Sequence, residues 1–241
     1  MKLKILLLSF LAVFLLAGSA TATIIMDSSG ETYLYEIWNN LFNDSSFSSS
    51  QDLWNTYGVK GDDSTWYKTD GGAVYVEIRY AGYNQAFGYS EDGGTTLVEL
   101  FGFGAIQWGE NDLYTTLNTT GSFIWYEQYD DYDLDQTANG TWYSLDNLNI
   151  DGQNDHFVAF SVPSGLVNYY NSHNEVLQPD LNDNVYLLAF EDLNLGDQDY
   201  NDLVVLVDEV APISEPATML LFGSGLIGLA ALGRKKIFKK A

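Results

Sequence analysis

Between residues 189 and 205 the chain reads AFEDLNLGDQDYNDLVV, an acidic loop enclosed by two apolar runs. The apolar runs cover residues 184–190 and 203–207 without a polar alternation, which is typical of strands buried on both faces in the centre of a packed sheet. The loop between them is rich in Gly, Asn and Asp, which favour turns. This stretch therefore predicts two central β-strands joined by a tight acidic turn.

Other segments also have the character of strands. Val74, Val76 and Ile78 share one side of a strand over residues 73–80, because side chains alternate between the two faces of a strand. Gly, Asn, Asp and Ser interrupt the chain at intervals of about ten residues, which is typical of many short strands. We expect an all-β domain over residues 73–210 with a β-sandwich or jelly-roll-like fold. Its further strands are predicted at residues 95–101, 122–128, 141–145 and 156–162.

Residues 23–72 are predicted to form a helical preface followed by a polar loop. Apolar residues recur there at three- and four-residue steps, which indicates one short helix. Ser28 and Glu31 have the spacing of a capping box at its start. Residues 43–72 are polar, with a Ser-rich stretch at 45–50, and are expected to be a long loop. The periodic residues of the helix are Leu34, Ile37, Trp38, Leu41 and Phe42.

The acidic loop is the strongest candidate for a binding site. Carboxylates held between two rigid strands repel one another, and a divalent cation would remove that repulsion. Calcium takes six to eight oxygen ligands in flexible geometry, whereas zinc and copper prefer Cys and His, of which the chain has none and two. The alternative is that these residues only form turns. The predicted Ca²⁺ ligands are Glu191, Asp192, Asp197, Asp199, Asn201 and Asp202.

Two other groups of polar residues are weaker metal candidates. Asp131, Asp133 and Asp135 could surround a cation in a loop, or line one solvated face of a strand. A second group resembles the opening of an EF-hand loop but lacks its final bidentate Glu, and Asp155 from this group could instead join the loop at 191–202. We interpret His156, at the start of an apolar strand, as a hydrogen-bonded structural residue. The second group consists of Asn147, Asn149, Asp151, Gly152 and Asp155.

Charge is distributed unevenly along the chain. Seven of the ten basic residues lie at the two ends, and the part between them carries three basic and 33 acidic residues, a formal charge of −30. Such a polyanion excludes nucleic acid as a partner, because DNA and RNA attract basic surfaces. The absence of Cys also excludes disulfide bonds as a means of stabilisation.

The N-terminus has the three parts of a secretory signal peptide. Lys2 and Lys4 precede an apolar run over residues 5–17, and small residues at 20–22 provide a site for signal peptidase. We expect residues 1–22 to be the signal peptide and the mature chain to begin near Thr23. A permanent N-terminal anchor is the alternative, but the run is short for a bilayer core of about 30 Å.

The C-terminus, residues 214–241, contains a second set of sorting features. Ser214-Glu215-Pro216 is followed by an uncharged apolar run over residues 217–232 and then by a basic cluster that begins at Arg234. This order resembles the PEP-CTERM sorting tail, although Ser214 stands where that motif has its first proline. The resemblance implies an exosortase as partner, transient membrane contact through an apolar C-terminal helix, and export to the cell surface or extracellular matrix of a Gram-negative bacterium. An ordinary single-span anchor is the alternative.

The body also resembles a family of bacterial surface domains, the domain of unknown function numbered 4114. The resemblance spans about residues 75–209 and is carried by three segments: 81-AGYNQAFGY-89, 151-DGQNDHFV-158 and the acidic loop with its flanking strands. It implies an extracellular β-rich module in which the acidic loop has a suspected calcium role. It implies no enzymatic activity.

Three functions are consistent with these features. We expect a non-catalytic, calcium-stabilised surface or matrix module with an adhesive or structural role. The alternative is a calcium-dependent carbohydrate-binding module for exopolysaccharide, in which aromatic residues such as Trp66, Tyr67 and Trp125 would stack on sugar rings. A hydrolase is less favoured, because no Ser-His-Asp arrangement is evident and no pair of carboxylates is distinguished from the others.

Overall fold

The computed structural model describes 13 segments of the chain. The predicted signal peptide and the tail that follows residue 213 lie outside them. The described residues are 25–27, 32–59, 64–71, 73–79, 84–103, 114–130, 138–151, 155–164, 166, 169–170, 176–177, 184–192 and 198–213.

The described residues form mainly short antiparallel strands, with two short helices before them, as the sequence predicts for an all-β fold. The helices are α1 (Leu34–Phe42) and α2 (Ser50–Tyr57), and a short 3-10 turn spans Asp146–Leu148. The strands are β1 (Trp66–Lys68), β2 (Ala73–Arg79), β3 (Asn84–Ser90), β4 (Val98–Phe101), β5 (Tyr114–Thr116), β6 (Ser122–Asp130), β7 (Gly140–Tyr143), β8 (Phe157–Ser161), β9 (Tyr169–Tyr170), β10 (Val176–Leu177), β11 (Tyr186–Phe190), β12 (Leu203–Val207) and β13 (Val210–Pro212).

Two antiparallel sheets contain most of these strands. Sheet A has the order β13-β1-β6-β3-β4, with β7 also paired to β6. Sheet B has the order β5-β2-β12-β11-β8, and β9 pairs with β10 in a separate two-stranded sheet. The predicted central strands β11 and β12 are neighbours in sheet B, and their register places Phe190 opposite Leu203. This pairing confirms the two neighbouring central strands that the sequence predicts, whereas residues 193–197 of the predicted turn lie outside the described residues.

Sheet B is apolar on both faces because it is covered on both sides. One face packs against sheet A, where Phe87 and Trp125 of sheet A join Phe190 and Val205 of sheet B in one core cluster. The opposite face packs against the two helices, in a second cluster that includes Val204. The result is a β-sandwich with a helical layer outside sheet B, in agreement with the predicted architecture. The continuous apolar pattern of residues 184–190 and 203–207 follows from this double burial.

Helix α1 is found where the sequence predicts it, and all five of its periodic apolar residues are buried. The Ser28 and Glu31 capping box lies outside the described residues. At the observed start of the helix, the Glu36 carboxylate accepts a hydrogen bond from the backbone N–H of Tyr33 at 3.3 Å.

The long loop predicted over residues 43–72 is wrong in two places, because the segment contains α2 and β1. The Ser49 side chain caps α2 by accepting a hydrogen bond from the backbone N–H of Asp52 at 3.2 Å. Leu53 and Trp54 are the apolar residues by which α2 packs against sheet B. Tyr57, which has the i+3 and i+4 spacing to these residues, packs against the same core cluster. A helix of eight residues is marginal by itself, so α2 depends on this packing for its stability.

Candidate metal centre

The acidic loop begins where β11 ends and leads directly into β12. Glu191 and Asp192 follow β11 and are each 2% exposed, and Asp202 precedes β12 and is 8% exposed. Because β11 and β12 are antiparallel neighbours, these residues are brought to the same end of sheet B. The backbone N–H of Asp192 donates a hydrogen bond to the Asp202 carboxylate at 2.9 Å. Three of the six predicted ligands are therefore buried side by side.

Sheet A supplies hydrogen bonds to the same end of the sandwich. Gln85 of β3 donates from Nε2 to the Asp192 carboxylate at 3.2 Å. The indole Nε1 of Trp142, on β7, donates to the Asp192 carbonyl oxygen. Both bonds connect Asp192 to strands of sheet A, so this residue of the loop lies in the interior of the sandwich.

A fourth acidic residue at this end of the sandwich, Glu127, was not among the predicted Ca²⁺ ligands. Glu127 lies on β6 and its side chain is 0% exposed. Neither of its carboxylate oxygens has a hydrogen-bond partner within the described parts of the chain. Burial raises the pKa of Glu127 well above its ordinary value, and Asp192, Asp202 and Glu191 raise it further. Gln85 partly offsets this increase in the pKa.

A signal for Glu127 was present in the sequence of β6. Residues two apart in a strand share a face, so Glu127 lies on the same face as Phe123 and Trp125. Both aromatic residues are in the core between the sheets. Because Glu127 comes two residues after Trp125, the strand pattern indicates that its carboxylate is buried on the same inward face. A buried carboxylate requires a hydrogen-bond donor or a positive charge nearby.

Two other predicted ligands, Asp199 and Asn201, make a separate group. They are 1% and 0% exposed, and the Asn201 amide nitrogen donates to the Asp199 carboxylate and to the Thr32 carbonyl oxygen, both at 3.0 Å. The amide oxygen of Asn201 is buried and has no hydrogen-bond partner among the described residues. The Met26 N–H also donates to the Gln198 carbonyl oxygen at 2.9 Å, so the N-terminal segment packs against this side of the loop.

Tyr200 connects the two groups of acids. Its backbone N–H donates to the Glu191 carboxylate at 3.3 Å, and its hydroxyl donates to the Asp155 carbonyl oxygen at 3.0 Å. Tyr200 has a left-handed φ of 53°, an unfavourable conformation for a bulky residue. Contacts from several parts of the chain thus hold the backbone of residues 198–201 in a specific conformation.

The structure does not show an assembled metal site. In the part of the chain that it describes, no three acidic or histidine side chains lie close enough together to hold a metal ion. Asp197, one of the six predicted ligands, lies outside the described residues. Calcium binding at this loop therefore stays a prediction.

His156 is buried and hydrogen-bonded at both ring nitrogens. Its Nδ1 lies 2.9 Å from the Glu191 carbonyl oxygen and its Nε2 lies 2.8 Å from the Asp151 carboxylate. The imidazole also stacks on Trp142, with ring centroids 3.7 Å apart and planes inclined by 4°. These contacts agree with the structural role predicted for His156, and they hold the backbone of Glu191 in place.

The weaker metal candidates receive no support from the described contacts. Asp131, Asp133 and Asp135 lie outside the described residues, as does Gly152. The Asn149 side chain accepts from the Tyr143 N–H at 2.8 Å and donates to the Tyr143 carbonyl oxygen at 3.3 Å, so it stabilises a turn. Asp155 does contact the acidic loop, but the contact described above uses its backbone carbonyl oxygen.

None of the helices among the described residues is long and apolar enough to cross a membrane. The apolar C-terminal run is outside those residues, and its predicted helix is not tested by this finding.

Comparison with known proteins identifies a sorting motif at the C-terminal end of the chain. No curated protein and no solved structure matches it, and the resemblance of residues 75–209 to family 4114 gains no support. Residues 212–236 match the family model described as the PEP-CTERM protein-sorting motif. The chain therefore carries a PEP-CTERM sorting motif, which implies an exported protein of the cell envelope or surface that is processed by an exosortase.

Proposed function

We propose that this protein is a non-catalytic structural or adhesive module of the cell surface or extracellular matrix, stabilised by Ca²⁺ bound at the acidic loop. The sorting motif supports export. The same proposal has three further parts. The cell is a Gram-negative bacterium that produces exopolysaccharide, the protein lies in its extracellular matrix, and the body of the protein is similar to family 4114.

The observation that carries the calcium proposal is the burial of the predicted ligands. The five that the structure describes, Glu191, Asp192, Asp199, Asn201 and Asp202, are all less than 10% exposed. A solvated acidic turn would leave such side chains in water, where their charge costs little. Burying several carboxylates together is unfavourable, with two charges about 4 Å apart costing about 4 kcal/mol at an effective dielectric constant of 20.

The ligand atoms on this loop are the kind that calcium prefers. They are carboxylate and amide oxygens, and the buried amide oxygen of Asn201 is an acceptor with no hydrogen-bond partner among the described residues. Carboxylates that accept a hydrogen bond on one oxygen can still coordinate an ion through the other. Because no three acidic or histidine side chains of the described residues lie close enough together to hold an ion, binding requires the loop acids to draw closer together.

No described feature favours carbohydrate binding over this proposal. Trp66 and Trp125, two of the aromatic residues considered for stacking on sugars, are 0% exposed and belong to the core between the sheets. Tyr67 is 43% exposed. It is the one aromatic residue among the large exposed hydrophobic residues of the described sheet-A strands, and a single exposed ring does not form a sugar-binding groove.

Thermal unfolding in the presence and absence of calcium tests the proposal. The full chain, purified in a mild detergent, is melted with 10 mM calcium chloride, with 10 mM magnesium chloride or with EGTA, and unfolding is followed by tryptophan fluorescence. An ion at about 100 times its Kd adds about 2.7 kcal/mol to the free energy of unfolding. For a protein of this size that is roughly 5–11 °C in Tm. Equal midpoints in calcium and in EGTA would contradict the proposal.

A further inference from the structure

Glu127 belongs to sheet A, whereas the acids that act on it belong to the loop of sheet B. Its cross-strand partner on β3 is Phe87, and the β6 residues before it on the same face lie in the core between the sheets. On β7 its cross-strand partner is Trp142, whose indole Nε1 donates to the Asp192 carbonyl oxygen. Glu127 therefore faces sheet B from the opposite side of the sandwich, at the end where Asp192 and the neighbouring loop acids lie.

Within the described residues, three acids surround Glu127 and Gln85 is the one side chain that favours its charged form. Both carboxylate oxygens are buried and have no partner there. Gln85 is close enough to affect Glu127, yet its amide nitrogen donates to Asp192. A buried carboxylate that faces three other carboxylates is unfavourable, and a cation or a bound proton would relieve that arrangement.

We propose that Glu127 is a ligand of the same calcium ion as Glu191, Asp192 and Asp202, so that the ion links sheet A to sheet B. This inference rests on the calcium binding proposed above. A carboxylate oxygen is a hard ligand suited to calcium, and a Glu can coordinate through both of its oxygens. The bound ion would hold the two sheets together at this end of the sandwich, where the hydrogen bonds from Gln85 and Trp142 also join them.

Calcium titration of variants of the full chain tests the inference. Calcium chloride is titrated into wild type, Glu127→Gln, Asp192→Asn and Glu99→Gln in the same detergent, and affinity is measured by calorimetry. Glu99→Gln is the matched control, because Glu99 is an exposed acid on β4 of the same sheet. We expect Glu127→Gln to weaken calcium binding at least tenfold, as Asp192→Asn does, and Glu99→Gln to bind as wild type.

The outcomes separate this inference from the proposed function. If wild type does not bind calcium, both fail. If wild type binds and Asp192→Asn weakens binding while Glu127→Gln binds as tightly as wild type, calcium binding stands and the role of Glu127 is overturned. The Glu127→Met variant removes both oxygens, keeps a side chain of similar length and is measured in parallel in case Glu127→Gln does not fold. Wild-type calcium affinity in Glu127→Met would overturn the inference in that case.

Discussion

Replacing Glu127 with Gln should make the calcium-free protein more stable at neutral pH. The two side chains have nearly the same shape, so the change removes the charge and leaves the packing between the sheets in place. In wild type, a carboxylate that is 0% exposed and has no hydrogen-bond partner within the described residues faces the repulsion of Glu191, Asp192 and Asp202. The Gln amide is neutral and can donate hydrogen bonds to those carboxylates.

The size of the gain follows from the cost of an unsatisfied buried polar group. That cost is about 1–3 kcal/mol, and more for a charged group, so we expect about 2 kcal/mol. At roughly 2–4 °C per kcal/mol for a protein of this size, the Tm should rise by about 4–8 °C.

The pH dependence provides a second measure of the same effect. The pKa of Glu127 is raised above 4.5 in the folded state, chiefly by burial, so the folded protein keeps a proton that the unfolded chain releases. The stabilisation from that proton is complete below about pH 4.5 and is lost as the pH rises through the raised pKa. Wild type in EGTA should therefore lose more stability than Glu127→Gln between pH 4.5 and pH 8.

Thermal melts in EGTA at several pH values check both effects, with tryptophan fluorescence as the signal. The exposed-acid variant Glu99→Gln should follow the wild-type curve. A Glu127→Gln protein that melts below wild type at pH 8, or that shows the same pH profile as wild type, would refute the reasoning.

Two further predictions concern parts of the fold that sequence patterns did not indicate. Trp54→Ala should lower the free energy of unfolding by roughly 3–5 kcal/mol, because the indole is 4% exposed and lies edge-on to Phe160 with ring centroids 5.7 Å apart. Asn55→Ala, at an exposed position of the same helix, should melt as wild type, and an equal loss in both variants would argue against packing of α2 on sheet B. Val210→Ala should cost about 2 kcal/mol, since Val210 is 0% exposed in the core between the sheets and loses two buried methyl groups. The neighbouring Ile213→Ala, at a site that is 38% exposed, should cost much less in urea unfolding, and equal midpoints would show that β13 is not part of the core.

The position of β13 connects the folded body to its sorting motif. β13 pairs with β1 at the edge of sheet A, and the Ile213 N–H donates to the Thr65 carbonyl oxygen at 2.7 Å. The matched sorting motif begins at residue 212, the last residue of this strand. The folded sandwich and the sorting signal are therefore contiguous in the chain, with no linker of their own between them.

The sequence by itself determined the class of fold and the sorting of the protein. Side-chain alternation and doubly apolar runs depend only on local spacing, so they predicted β11, β12 and the acidic turn between them. The periodicity of α1 predicted that helix for the same reason. The sorting motif was also readable, because it is a linear signal in which the box, the apolar run and the basic cluster follow one another.

Only the tertiary structure decided which residues meet at the acidic loop. It divided the five described ligands into one group near Glu127 and another around Asn201. It also brought Glu127 to the loop, although 64 residues of sequence separate it from Glu191. It also showed that α2 forms against sheet B within the segment that the sequence analysis predicted to be a loop. The physical reason is that periodicity reports which face a residue occupies, whereas the packing of one sheet on another determines which residue lies opposite it.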